Sequence, residues 1–114
     1  MMRTNTFFWD NLAVESYKTI LKTKPTCALA HNNLALAYLR INKPNKAIRS
    51  FERAIKSDPG FDEAYYHLAS AFEAEGKIPQ ALRYYKKFHK LKQDSKETTT
   101  VTEAYISKLE LKKN

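Results

Sequence analysis

Few groups in this sequence could do chemistry, and they are scattered. Three histidines, His31, His67 and His89, and one cysteine, Cys27, are spread along the chain. Glu63 and His67 are four residues apart, which on a helix puts a carboxylate beside an imidazole. That spacing serves an ordinary surface pair, and it would supply two members of a metal or acid–base site only if other ligands converged on it. No Gly-rich phosphate loop, Ser nucleophile motif or Cys/His pair accompanies it. The chain is therefore expected to be no enzyme, with no catalytic residue, no metal and no cofactor. A single cysteine also rules out an internal disulfide and a Cys-rich metal framework.

Charge is the second chemical feature. The chain carries a net +8, and its densest basic stretch, Arg83-Tyr84-Tyr85-Lys86-Lys87-Phe88-His89-Lys90-Leu91-Lys92, interleaves cations with aromatics as some nucleic-acid surfaces do. On a helix, however, Tyr85, Phe88 and Leu91 fall on one buried stripe and leave Arg83, Lys86, Lys87 and Lys90 as a solvated basic face. RNA or DNA is expected to bind weakly and only through charge. Phe7, Phe8 and Trp9 make too short an apolar run for a signal peptide, and no segment approaches the roughly 18 apolar residues that span a bilayer. The expected setting is the cytoplasm, with no membrane partner.

The elements that position these groups follow from composition and period. In 114 residues there are two glycines and four prolines, against 43% hydrophobic residues. That is enough apolar content for one folded domain and too few turn residues for a many-stranded sheet, so an all-α chain is expected. HNNLALAY, His31 to Tyr38, returns as YYHLASAF, Tyr65 to Phe72, 34 residues later. Laying Ala28–Phe61 over Asp62–Ser95 gives eight identities in 34 places: Ala30/Ala64, Leu34/Leu68, Ala35/Ala69, Ala37/Ala71, Lys43/Lys77, Ala47/Ala81, Arg49/Arg83 and Lys56/Lys90. Tyr38/Phe72, Ile48/Leu82 and Phe51/Tyr85 keep size as well as polarity.

Within each unit the apolar residues step by three and four in two separate runs, which predicts two helices. Asn42 and Gly76 occupy the same repeat position between them, and these residue types best tolerate the left-handed conformation that ends a helix. Pro44 and Pro79 follow where a first helical turn accepts proline. Asp58-Pro59-Gly60 closes the unit.

The pattern Leu34-Ala35-x-x-Tyr38, Ala47-x3-Phe51-x2-Ala54 and Pro59 resembles a tetratricopeptide repeat, whose period is about 34 residues. The second copy keeps Tyr65, Leu68-Ala69, Phe72, Ala81 and Tyr85, and departs at Phe88 and Gln93. The resemblance implies a right-handed solenoid of helical hairpins. Stepping back 34 residues from Ala47, Phe51 and Pro59 reaches Ala13, Tyr17 and Pro25. The expected layout is thus a tail at 1–8, an orphan second helix at 9–25, repeats at 28–61 and 62–95, and a capping helix and tail at 96–114. The cap is read from Asp94 and Glu97 as a capping box and from Val101, Ala104, Tyr105 and Leu109 as its apolar stripe. Phe88 would be large because it packs against this cap.

In this family the first helices line a groove that holds a partner segment. The resemblance carries that role to Asn32, Asn33, Leu36 and Arg40 in one repeat and to Tyr66, His67, Ser70 and Glu73 in the next. The carboxylate clamp used by some members is not expected, because Glu63 and His67 stand where its Lys and Arg would be. The chain reads as an adaptor or scaffold binding a protein or peptide partner. Two other readings are a basic helical repeat binding RNA or DNA non-specifically and a self-associating structural subunit or assembly factor. Self-association would use an edge formed by Phe7, Phe8, Trp9 and Leu12 to make a homodimer.

Overall fold

The computed structural model describes residues 6–113. It has six helices, α1 (Thr6–Thr23), α2 (Ala28–Arg40), α3 (Pro44–Ser57), α4 (Asp62–Ala74), α5 (Ile78–Leu91) and α6 (Lys96–Glu110), and no strand among the described residues. The all-α expectation holds. The helices fall into two compact units, Met1–Asp58 and Pro59–Asn114. The division lies in the Asp58-Pro59-Gly60 turn, consistent with a repeat whose helices contact mainly their neighbours.

In the first unit α1 and α3 each pack along α2. Leu34, Ala35, Ala37 and Tyr38 of α2 are buried, as are Ala47, Ile48, Phe51 and Ala54 of α3. Ala35, Ala37, Ala47 and Ala54 have no exposed surface: small side chains let the helix backbones approach and leave the remaining volume to Phe51. α1 begins at Thr6, so Phe7 and Phe8, assigned to the tail from sequence, lie in its first turn. Residues 1–5 of that tail lie outside the described residues.

The helix ends repeat as faithfully as the core. Asn42 has φ 62° and Gly76 φ 77°, the left-handed conformation expected of both. After α2, the Asn42 N–H donates to the Leu39 carbonyl and the Lys43 N–H to the Tyr38 carbonyl; after α4, Gly76 and Lys77 donate in the same way to Glu73 and Phe72. This paired arrangement satisfies the last carbonyls of each helix. His31 and Tyr65, also 34 apart, perform one task with different chemistry. His31 Nε2 lies 2.8 Å from the Pro25 carbonyl, and the Tyr65 hydroxyl donates to the Pro59 carbonyl at 2.7 Å.

In the second unit α5 packs between α4 and α6. Phe72 stacks on Tyr84 at 5.8 Å between ring centroids, and Leu68, Ala69 and Ala81 are fully buried. The capping helix departs from the sequence reading in two ways. Its N-cap is Ser95, whose hydroxyl oxygen accepts from the Thr98 N–H, so the Asp94/Glu97 capping box does not form. Its buried face is Thr102 and Leu109, while Val101, Ala104 and Tyr105 are exposed. Threonine can enter the interface because the Thr102 hydroxyl donates back to the Thr98 carbonyl at 2.7 Å, which removes the desolvation penalty of a free hydroxyl. Lys86 of α5 meets Glu110 of α6 at 2.9 Å; that contact, with Lys113, holds the Glu110 carboxyl below its ordinary range.

Candidate functional site

α4 turns Tyr66, Ser70 and Glu73 to one face by steps of four and three. α5 contributes Tyr85 and Phe88, and α6 adds Val101, Thr102 and Tyr105. Together these eight side chains line a cleft of about 320 Å³ with α5 as its floor. Phe88 lines this cleft opposite the side chains of the capping helix.

Aromatic rings run along this cleft in sequence. Phe88 and Tyr66 lie 5.5 Å apart, Tyr66 and Tyr85 6.1 Å, and Tyr85 and Tyr105 5.3 Å between centroids. The Glu73 carboxylate accepts one phenol on each oxygen, Tyr85 at 2.9 Å and Tyr105 at 2.6 Å. It thereby ties α4 to α5 and α6. Burial pushes the Tyr85 hydroxyl pKa well above the ordinary tyrosine range, and the hydrogen bond to Glu73 adds to it; Ser70 acts in the opposite sense. The Tyr105 pKa is raised chiefly by its hydrogen bond to Glu73 and then by burial. A lining of rings around one carboxylate can receive an apolar side chain and hydrogen-bond donors, and it repels an incoming carboxylate. Among the described residues no group of three or more His, Cys, Asp or Glu could hold a metal ion.

A tetratricopeptide repeat family model matches residues 32–95, more than half of the chain. The chain belongs to the tetratricopeptide repeat family. No curated protein matches it significantly. Among solved structures, the type III secretion translocator chaperone SycD of Yersinia enterocolitica has a TM-score of 0.84 at 15% identity, over 95% of this chain and 77% of SycD. SycD in complex with a peptide of the translocator YopD scores 0.82 at 16% identity, over 96% and 86% of the two chains. The TPR2B domain of yeast Sti1, in a complex with pHsp70, scores 0.77 at 26% identity, over 91% and 82%. The SycD likenesses establish the fold.

The tetratricopeptide frame places the sequence-derived site residues unevenly. Tyr66 and Ser70 come together in the cleft; His67 does not line it and sits 3.4 Å from Glu63, the surface pair expected of them. In the first unit Asn33 and Leu36 are half-buried. Asn32 is fully enclosed, with neither amide atom hydrogen-bonded among the described residues, so its placement on an open face is corrected: α2 is packed by both α1 and α3, and Asn32 shares its side of the helix with the equally buried Ala35, three residues on. Arg40 is exposed but engaged, its Nε donating to Asp10 of α1 at 2.8 Å. Tyr85, Phe88, Val101 and Tyr105 were missed as site residues because core spacing on α5 and the apolar stripe assigned to the capping helix gave them to packing.

The basic face of α5 is also modified. Leu91 is exposed, contrary to the buried stripe expected. Lys86 is paired with Glu110, and Arg83 lies over the Tyr84 ring. Phe7, Phe8, Trp9 and Leu12 are all exposed along α1, with Phe8 and Trp9 edge to face at 5.2 Å.

Proposed function

We propose that the protein is a non-catalytic interaction module, an adaptor or scaffold, that seats an apolar anchor of a partner peptide or helix in the cleft between α4 and α6. One observation carries this reading: four aromatic rings, two of them substantially exposed at Tyr66 and Tyr105, line a concavity that has no catalytic constellation. The partner complexes of Sti1 and SycD support a peptide as occupant. Glu73 within the cleft, and Glu63 beside His67, disfavour a terminal carboxylate as the anchor. No helix among the described residues is long and apolar enough to cross a membrane, and the lone Cys27 suits the reducing cytoplasm in which we place the protein.

Display-selected peptides binding the full chain are expected to carry an aromatic or aliphatic anchor. They should lose about 2 kcal/mol or more of binding free energy when Tyr66→Ala is combined with Phe88→Ala. Unchanged affinity in calorimetry, with the variant's helical circular dichroism retained, would locate binding elsewhere.

A second reading rests on the exposed row Phe7, Phe8, Trp9 and Leu12. Apolar area of this kind contributes roughly 25 cal/mol per Å² when covered, and a second copy of the chain would cover it with two-fold symmetry. Sedimentation is expected to show a concentration-dependent dimer that Phe8→Ser/Trp9→Ser abolishes; a monomer at all concentrations in the parent chain removes the proposal.

A further inference from the structure

The first unit contains a separate cleft with opposite chemistry. Because α1 and α3 both pack on α2, a gap of about 920 Å³ remains between them, floored by Leu34 and Tyr38 of α2 with Leu21 of α1 at its side. Lys18 and Lys22 project from α1, four residues apart. Lys46, Arg49, Arg53 and Lys56 project from α3 at steps of three, four and three, one continuous stripe along that helix. All six cations line the gap, and no carboxylate does.

Little neutralises them from within. Lys18 approaches Glu15 at a loose 3.9 Å. Lys46 lies 5.8 Å from the centre of the Tyr38 ring. Lys22, Arg49, Arg53 and Lys56 have no ion pair among the described residues, although all are exposed. On α5, by contrast, Lys86 is paired across to α6. Six like charges around one concavity repel one another and raise the local potential. An anionic occupant relieves that repulsion, and the apolar floor gives it something to bury.

We propose that this gap is a second docking surface, for an acidic amphipathic peptide segment whose carboxylates meet the two cationic walls while its apolar side chains cover Leu21, Leu34 and Tyr38. A nucleic acid satisfies the walls and not the floor. Tyr38 and His31 are the aromatic rings in the lining; both are buried, Tyr38 with Lys46 over its ring and His31 held to the Pro25 carbonyl, so no free face is offered for base stacking. This surface is independent of the aromatic cleft between α4 and α6 and does not rest on the reading given to it.

The test is fluorescence anisotropy on the full chain with four labelled probes of equal length: a Glu-Glu-Leu-Leu repeat peptide, its Gln-Gln-Leu-Leu counterpart, oligoglutamate and single-stranded oligo(U). The Glu/Leu peptide is expected to bind best, with the Gln/Leu peptide and oligoglutamate at least tenfold weaker. Arg49→Glu/Arg53→Glu should weaken the Glu/Leu peptide at least tenfold. Lys87→Glu/Lys90→Glu, an equal change of net charge on α5, should leave it within about twofold, because neither lysine lines the gap. If the first variant loses its helical circular dichroism, Lys22→Ala/Lys56→Ala replaces it, with an expected weakening of threefold or more. Equal weakening by the α5 variant, equal binding of oligoglutamate, or oligo(U) binding as tightly as the Glu/Leu peptide would each overturn the proposal.

Discussion

Replacing Phe51 by alanine is expected to destabilise the chain by about 3–5 kcal/mol, the range for deleting a fully buried phenyl ring. The ring has no exposed surface, and its neighbours on the same face of α3, Ala47 and Ala54, are equally buried. Those alanines have no side-chain reach with which to fill the void, and the α2–α3 packing they permit keeps the two backbones from closing further. The cavity therefore stays open, which is the condition for the upper part of that range. Guanidinium unfolding followed by circular dichroism measures the loss, and hydrogen exchange should accelerate first in the amides of α2 and α3. A loss below about 1 kcal/mol would show that the first unit collapses around the missing ring, and that the alanine-lined packing is softer than its burial indicates.

Phe51 is a residue the sequence discloses well, and the reason is physical. Repeat positions that hold helices together are constrained in size, so Phe51/Tyr85, Ala47/Ala81 and Leu34/Leu68 stay recognisable over 34 residues. The helix ends are legible for a similar reason: few residues accept a positive φ, and Asn42 and Gly76 both do. What stayed hidden depends on partners that periodicity does not encode. Asn32 reads as a polar surface residue, yet α2 is packed by two helices, and the side Asn32 shares with Ala35 is also inside. Arg40 reads as free until Asp10, on a helix thirty residues earlier, is seen to hold it. The face of α6 was misjudged because Thr102 reads as polar, whereas a hydroxyl returned to its own helix backbone packs almost as an apolar group. The aromatic cleft was half legible: α4 supplied Tyr66 and Ser70, but the contributions of α5 and α6 required knowing how α6 leans on α5.

The same lattice explains the most polar feature of the cleft and how strongly it should respond to change. Glu73 falls on the position of Leu39 and Tyr85 on that of Phe51, so an apolar pair in the first repeat is matched in the second by an acid and a phenol joined at 2.9 Å. Glu73→Ala leaves the buried Tyr85 hydroxyl without its acceptor and also releases Tyr105. Two hydrogen bonds to a charged group are lost at once, and the expected cost is about 2–4 kcal/mol. Tyr85→Phe removes the hydroxyl along with its need for a partner and should cost less. Glu73→Leu/Tyr85→Phe restores the first repeat's apolar pair and should recover most of the loss, a non-additivity that a double-mutant cycle reads directly. The pH dependence follows from the raised phenol pKa values, due mainly to burial at Tyr85 and mainly to the Glu73 hydrogen bond at Tyr105. Each phenol stays protonated in the folded chain beyond the point where it ionises in the unfolded one. Their contribution is therefore fully present below about pH 10, the ordinary tyrosine value, and falls as pH rises toward the folded pKa values. Unfolding measured at pH 9 and at pH 11 should show the parent chain losing more stability than Tyr85→Phe/Tyr105→Phe, a comparison in which lysine titration cancels. Equal losses in the two chains would mean that the phenols are not held by Glu73 in solution, and that α6 is fastened by Leu109 and the Lys86–Glu110 pair alone.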